Sequence, residues 1–248
     1  VNIVNKSNVP DLVYKFLEQD FYDHANVRGT TSVTTLLKPI QEIILTERHS
    51  DEIEIDACDR LWTVFGSAVH EVLSKIKGED IKQEERIYTK ILDEKISGKF
   101  DVINKNRIYD YKVTSAWTIT YRSRDEDWRK QLSLYRWIYW KEKNVFLDNI
   151  GYIIAILRDW SENQVSGNYP QTPIVQLEYI LDSVQDTEKY VEERIKEIQE
   201  ARNREDIDLP WCTDKERWWN EKKGEYIKCK KYCLVRDFCF QNKVDIKE

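Results

Sequence analysis

Two rhythms of apolar and polar positions divide this chain. Up to about residue 76 the spacing is helical. Leu12, Val13, Phe16 and Leu17 follow Pro10-Asp11, a proline start with an acid in the first turn, and Gly29-Thr30-Thr31 breaks the pattern. Ser32 to Thr46 predicts a second helix, started or interrupted by Pro39, with Ile40, Ile43 and Ile44 on one face. Residues 47–56 are charged and predict a solvated connection. Leu61 to Ile76 predicts a stronger helix, because Val69, Val72, Leu73 and Ile76 keep the i, i+3, i+4, i+7 spacing. Gly66, Ser67 and Ala68 leave room there for another backbone, and His70 and Glu71 lie beside the stripe.

From residue 85 the period shortens to two. Residues 86–91 and 96–103 predict strands about a turn near Asp93-Glu94-Lys95, and residues 98–112 a β-hairpin. Asp125 to Lys143 predicts a helix with acids at its start and lysines at its end, which complements the helix dipole. Ile150 to Leu157 is a continuous apolar run, as in a buried strand, and Ile174 to Leu181 a further strand. Ser183 and Asp186 resemble a capping box that opens a helix to about Arg204, with Tyr190, Val191, Ile195 and Ile198 inward. After Leu209-Pro210 the composition shifts to Cys, Trp and Lys. The expected class is α/β, a mixed central sheet flanked by helices. Residues 1–209 would form the domain, and 210–248 a Cys-rich segment packed on it.

The hairpin holds the candidate chemistry. A two-residue loop at Lys105-Asn106 pairs Asn104 with Arg107, Ile103 with Ile108, Val102 with Tyr109 and Asp101 with Asp110. Two carboxylates would then face each other, which destabilises a sheet unless a cation lies between them. Lys112 falls on the same face as Asp110 by alternation. A surface hairpin with ordinary charges is the bland alternative, but Asp110 interrupts a strand of Ile108, Tyr109, Tyr111 and Val113, where an unpaired charge is costly.

Composition narrows the setting. The chain has 248 residues, 41% hydrophobic and 34% charged, net charge −6 and nine Trp. No apolar run approaches the roughly 20 residues that span a bilayer, and no signal peptide opens the chain. The expectation is a soluble, cytoplasmic protein with no membrane partner. The acidic balance means that any nucleic-acid contact is a local groove.

The order Gly66-x-x-x-His70, Gly98-x-x-Asp101, Asp110-Tyr111-Lys112 and Gln131-x-x-x-Tyr135 resembles the PD-(D/E)XK nuclease superfamily, closest to its RecB-type branch of phage recombination exonucleases and CRISPR-adaptation nucleases. Phe100 stands where the family often has Pro. The resemblance implies a restriction-endonuclease-like fold and a DNA exonuclease using Mg²⁺ or Mn²⁺. It implies that His70, Asp101, Asp110 and the Tyr111 carbonyl hold the metal. Lys112 would orient the attacking water and stabilise charge in the transition state, and Gln131 and Tyr135 would position the DNA or the active-site loop. His70 as a core histidine, and Gln131 and Tyr135 as a packing face, are the structural alternatives. Glu84 or Glu85 is a further candidate acid. A recombination or helicase protein is an implied partner, and a phage origin fits. A non-catalytic DNA-binding or assembly subunit with the same fold, or a nuclease acting on RNA, are the rival functions.

Cys212, Cys229, Cys233 and Cys239 are spaced C-x16-C-x3-C-x5-C, which suits a zinc ion or an iron–sulfur cluster better than disulfides in an intracellular chain. Several RecB-type nucleases are similar in carrying a C-terminal 4Fe–4S centre, usually spaced C-x2-C-x5-C with a distant first ligand. Here Cys212 or Cys58 can be the fourth ligand. The tract Trp117, Tyr121, Arg122, Arg124, Trp128, Arg129 and Lys130 can grip a single strand by phosphate contact and stacking, or be a solvated helix start. Trp211, Trp218 and Trp219 can do the same or pack the tail.

Overall fold

The computed structural model describes residues 1–19 and 30–245. The expected break at Gly29 and the end of the Cys-rich segment, 246–248, lie outside the described residues. In chain order the elements are β1 (Asn2–Val4), α1 (Asp11–Glu18), β2 (Thr30–Ser32), α2 (Ile40–Arg48), β3 (Glu54–Asp56), α3 (Ala57–Leu73) and β4 (Ile81–Gln83). There follow β5 (Arg86–Ile91), β6 (Glu94–Lys99), β7 (Val102–Asn104), β8 (Arg107–Thr114), α4 (Ala116–Thr120), α5 (Asp125–Lys143), β9 (Ile150–Leu157) and β10 (Ile174–Ile180). The chain ends with α6 (Val184–Arg202), α7 (Asp214–Arg217), β11 (Trp219–Asn220), β12 (Glu225–Tyr226), α8 (Ile227–Lys231) and α9 (Phe240–Asp245). Among the described residues no helix is long and apolar enough to cross a membrane.

The described residues fall into two compact units, one within 1–21, 38–61 and 193–248, the other within 22–37 and 62–192. The second unit holds a five-stranded sheet in the order β10-β9-β8-β7-β4 and a three-stranded sheet in the order β2-β6-β5. In the larger sheet β8 and β9 are parallel and the other pairs antiparallel. Parallel neighbours need a crossover, and here residues 115–149 supply it with α4 and α5. The class is the expected one, a mixed α/β fold with mixed sheets flanked by helices.

One face of this sheet is apolar and closed. Ile108 and Asp110 of β8 register with Gly151 and Ile153 of β9, which register in turn with Tyr179 and Leu177 of β10. All six are buried. The Tyr179 hydroxyl donates to Asp125 in the first turn of α5, which places α5 over this face. A side chain at Gly151 would press on Leu181 and Ile108 at 3.1–3.2 Å. α5 has the predicted bounds. It carries three acids in its first turn and ends on Asn144 in the left-handed conformation, a favoured C-terminal stop.

Several expected elements differ. Residues 32–46 form no single helix: Ser32 ends a strand and α2 begins after Pro39, whose ring fits a helix start but not an interior. The solvated connection at 47–56 contains β3 and the buried Ile53. The strand expected over 96–103 breaks at Phe100-Asp101 and its two parts join different sheets. α3 starts four residues early, and its apolar stripe is not a core stripe, because Val72 and Ile76 are exposed.

In the first unit His49 ties the end of α2 to the segment after α6. Its Nδ1 meets Glu52 at 2.8 Å, its Nε2 meets Asp206 at 3.1 Å, and its ring stacks on Phe238 at 4.1 Å. Carboxylates at both nitrogens favour the imidazolium, and these hydrogen bonds raise the His49 pKa above the usual histidine value. The stabilisation is therefore complete below about pH 6.5 and is lost as pH rises through the higher folded value. Replacing His49→Gln should lower the melting temperature more at about pH 5.5 than at about pH 8.5, with a difference of about 1 kcal/mol or less. Thermal denaturation at the two pH values measures this.

Candidate functional site

The hairpin forms in the expected register, with Val102 opposite Tyr109, Ile103 opposite Ile108 and Asn104 opposite Arg107. Lys105 and Asn106 both have positive φ, 47° and 65°, as a two-residue I′ turn requires. The ladder stops there. Asp101 forms no fourth pair with Asp110. Its backbone has left the strand, and its Oδ2 accepts the Tyr111 backbone N–H at 2.7 Å. A residue's N–H and C=O point to the same flank of a strand, so the Tyr111 carbonyl also faces the gap that Asp101 opens.

His70 reaches this gap from α3. Its Nδ1 lies 3.3 Å from Asp101 Oδ1, and its ring stands edge-on to Tyr111 at 6.0 Å. Burial acts to lower the His70 pKa, but the hydrogen bond and charge of Asp101, with the field of Asp110, raise it above the usual value. Glu84 completes the group from the turn between β4 and β5, where its φ is 51° and its N–H donates to the Asp101 carbonyl at 3.0 Å. Among the described residues, His70, Glu84 and Asp101 are the one group of three or more ligating side chains whose ligand atoms all lie within 4.8 Å. Glu85 points elsewhere, pairing with Lys143 at 2.7 Å. The sequence signal for Glu84 was only its place before a strand, a signal Glu85 shares.

Asp110 and Lys112 form the other half. Both project onto the face covered by α5, and their side chains make an ion pair. Asp110 is 2% exposed, and burial pushes its pKa up to about 6 against the opposing charge of Lys112. Asp110 lies outside the group of His70, Glu84 and Asp101. Gln131 and Tyr135 stand on α5, and Gln131 Nε2 donates to the Tyr135 hydroxyl at 3.2 Å. Tyr135 is buried against Gly98, where an added Cβ would lie 3.3 Å from its ring. Gly98 in the sequence motif therefore marks the close approach of α5 to β6.

The four C-terminal cysteines line one small cavity of about 20 Å³ in the first unit, with Gln41, Arg217 and Lys228. Cys239 and Cys212 donate their thiols to Gln41 Oε1 at 3.1 and 3.7 Å, and Arg217 Nε donates to Cys229 Sγ at 3.4 Å. Burial pushes the Cys212 and Cys233 thiols up to about 12 and about 11. No three of these sulfurs meet the 4.8 Å spacing. Gln41 and Arg217 had no sequence signal, since neither belongs to a motif. Cys58 is exposed and lies apart from the cavity lining.

No family model and no curated protein matches the sequence. Among solved structures the chain is similar to the crystal structure of SSO0001, at 18% identity and a TM-score of 0.53, over 92% of this chain and 94% of that one. That likeness is one of fold. It is also similar to an alkaline exonuclease from Laribacter hongkongensis (12% identity, TM-score 0.40, 69% of this chain and 89% of that one). A phage-related exonuclease from Haemophilus somnus matches at 13% identity and a TM-score of 0.33, over 76% and 78% of the two chains. At those two scores neither likeness bears on fold or function.

Removing one partner of the Asp110–Lys112 pair leaves a charge under the closed face. Lys112→Met should destabilise the protein by about 1–3 kcal/mol, less than a fully buried pair because Asp110 can take up a proton. Adding Asp110→Asn should recover most of the loss, and urea denaturation of the two variants decides it.

Proposed function

We propose that this chain is a divalent-metal-dependent deoxyribonuclease, acting as an exonuclease. The observation that carries this is the convergence of His70, Glu84 and Asp101 beside a buried aspartate–lysine pair on the adjoining strand. One nitrogen and carboxylate oxygens suit Mg²⁺ or Mn²⁺, with imidazole favouring the latter. Asp110, with its Tyr111 neighbour's carbonyl at the gap, would complete the ligand set. A bound ion supplies polarisation of the phosphate and acidification of a water.

The chain's own residues do the rest. Asp101 holds Tyr111 by its backbone and so fixes the flank of β8 that faces the phosphate. Lys112, ion-paired to Asp110, would offset the negative charge that grows as water oxygen bonds to phosphorus and the bond to the leaving oxygen breaks. Its Nζ can hold the attacking water by a hydrogen bond while Asp110 keeps the ammonium in place. The water's proton leaves to solvent or to the departing oxygen. Gln131, bonded to Tyr135 on α5, sits over the same face and orients the strand or its loop.

We also propose a structural iron–sulfur centre at the C-terminal cysteines, whose spacing is similar to that of the C-terminal cluster of RecB-type nucleases. Cys212, Cys229, Cys233 and Cys239 would hold it, and Arg217 and Lys228 would offset its thiolate charge. It would fasten the 210–248 segment to α2 through Gln41.

End-labelled linear and circular DNA with Mg²⁺ or Mn²⁺ tests the first proposal. Linear DNA should be degraded, and Asp110→Ala or Lys112→Ala should slow this at least about 100-fold. Unchanged rates in both variants would sink the assignment. For the second, protein purified without oxygen should absorb near ~400 nm and contain iron. Zinc in place of iron, or neither metal, contradicts it.

A further inference from the structure

The basic half of the aromatic tract is already occupied. Arg122 pairs with Asp125, Arg124 with Asp127 at 3.0 Å, Lys130 with Glu126 at 3.1 Å and Arg129 with Asp182, while Trp128 is buried. The aromatic half is different. Trp117 of α4 and Tyr121, the residue that follows α4, stack with ring centres 5.8 Å apart and planes within 20°. They are 45% and 72% exposed, so the outer face of Tyr121 is open. Their mount is stiff: Asp159 accepts from the Ser115 hydroxyl at 2.6 Å and the Ala116 N–H at 2.7 Å, and the buried Tyr169 braces Trp117 edge-on at 5.4 Å.

A second exposed ring stands beside this mount. Trp62 of α3 is 52% exposed, and the Arg158 guanidinium lies over its ring, 4.4 Å from the centroid. Arg158 has no ion-pair partner among the described residues, unlike the arginines of the tract. Its backbone N–H donates to the Thr114 carbonyl, so it sits at the carboxyl end of β8, two residues past Lys112. That edge is where open α/β sheets take their ligands. Along α3, Trp62 precedes His70 by eight residues, about 12 Å at 1.5 Å per residue. That is about three to four stacked nucleotides at 3.4 Å each. Trp117 lies at most about 18 Å of chain from Lys112.

We propose that the Trp62–Arg158 pair and the Trp117–Tyr121 stack form a binding site for single-stranded DNA, which holds the strand that runs into the His70–Asp110 centre. Open rings take bases by their faces, without regard to sequence. The guanidinium, held over an indole and without an ion-pair partner among the described residues, can give N–H groups to one phosphate. Duplex DNA keeps its base faces covered, so the site selects an unpaired strand. This inference rests on the nuclease reading for the strand's destination and not for the contacts themselves.

The test is fluorescence anisotropy with a labelled single-stranded oligonucleotide in EDTA, where no metal-dependent cleavage occurs. Trp62→Ala and Tyr121→Ala should each weaken binding by about 5- to 150-fold, while Trp62→Phe and Tyr121→Phe should bind within about threefold of wild type. Arg158→Ala should reduce the slope of log affinity against log salt by about 0.7, and Arg158→Lys should restore it. Circular dichroism melting separates these effects from misfolding. Alanine variants that bind within about twofold of wild type, a loss seen equally for duplex, or wild-type protein that does not bind the strand would each overturn the site. A wild type that binds but never cleaves would overturn the nuclease reading and leave this site standing. Cleavage with unaffected alanine variants would do the reverse.

Discussion

A carboxylate with almost no access to water sits beneath an apolar sheet face, and much of the second unit is arranged around that fact. Asp110 lies among Ile108, Ile153, Gly151 and the underside of α5. In such a place a charge is expensive, and the chain answers with one lysine two residues along the same strand. The pairing is partial: burial still outweighs the lysine and holds the carboxyl above its usual range. The neighbouring trio of His70, Glu84 and Asp101 brings two more carboxylates to the adjoining strand end, one of them paired with Lys99 at 2.6 Å.

The hairpin was readable because strand alternation and turn chemistry are local. A two-residue loop, period two and one misplaced aspartate sufficed to set the register of β7 and β8. What local pattern could not carry was where the ladder ends. Asp101 exchanges a strand pairing with Asp110 for a side-chain contact with the N–H of the following residue, Tyr111, and β6 and β7 lie in different sheets on either side of Phe100-Asp101. Glu84 and Glu85 were indistinguishable for the same reason. A left-handed backbone at Glu84 aims one inward, and nothing in the composition announces it. The order of motifs pointed to His70, whose Nδ1 lies 3.3 Å from Asp101 Oδ1; its spacing on an apolar stripe did not.

The stripe on α3 shows the opposite failure. Its period is sound and its helix exists, yet Leu61, Trp62, Phe65 and Val72 remain exposed. Periodicity reports that one side of a helix is apolar, not that a core is waiting for it. The four cysteines were legible as a set by spacing alone. Their surroundings were not, because Gln41 comes from a helix far away in sequence and looks there like any polar residue between isoleucines.

The turn at Lys105-Asn106 lies at the far end of the hairpin from the candidate site, yet it governs it. Asn106 donates to the Asp148 carboxylate at 2.9 Å, its carbonyl accepts from the Asp148 N–H, and Arg107 grips the same carboxylate at 3.1 Å. One aspartate just before β9 thereby indexes two strand pairings at once, β7 to β8 and β8 to β9. The sheet behaves like a vernier whose zero is set at this corner. A single residue inserted into the turn would shift the scale by one division and turn every side chain beyond it to the opposite face. Loops on protein surfaces are usually the places that tolerate such edits; this one behaves as a reading frame.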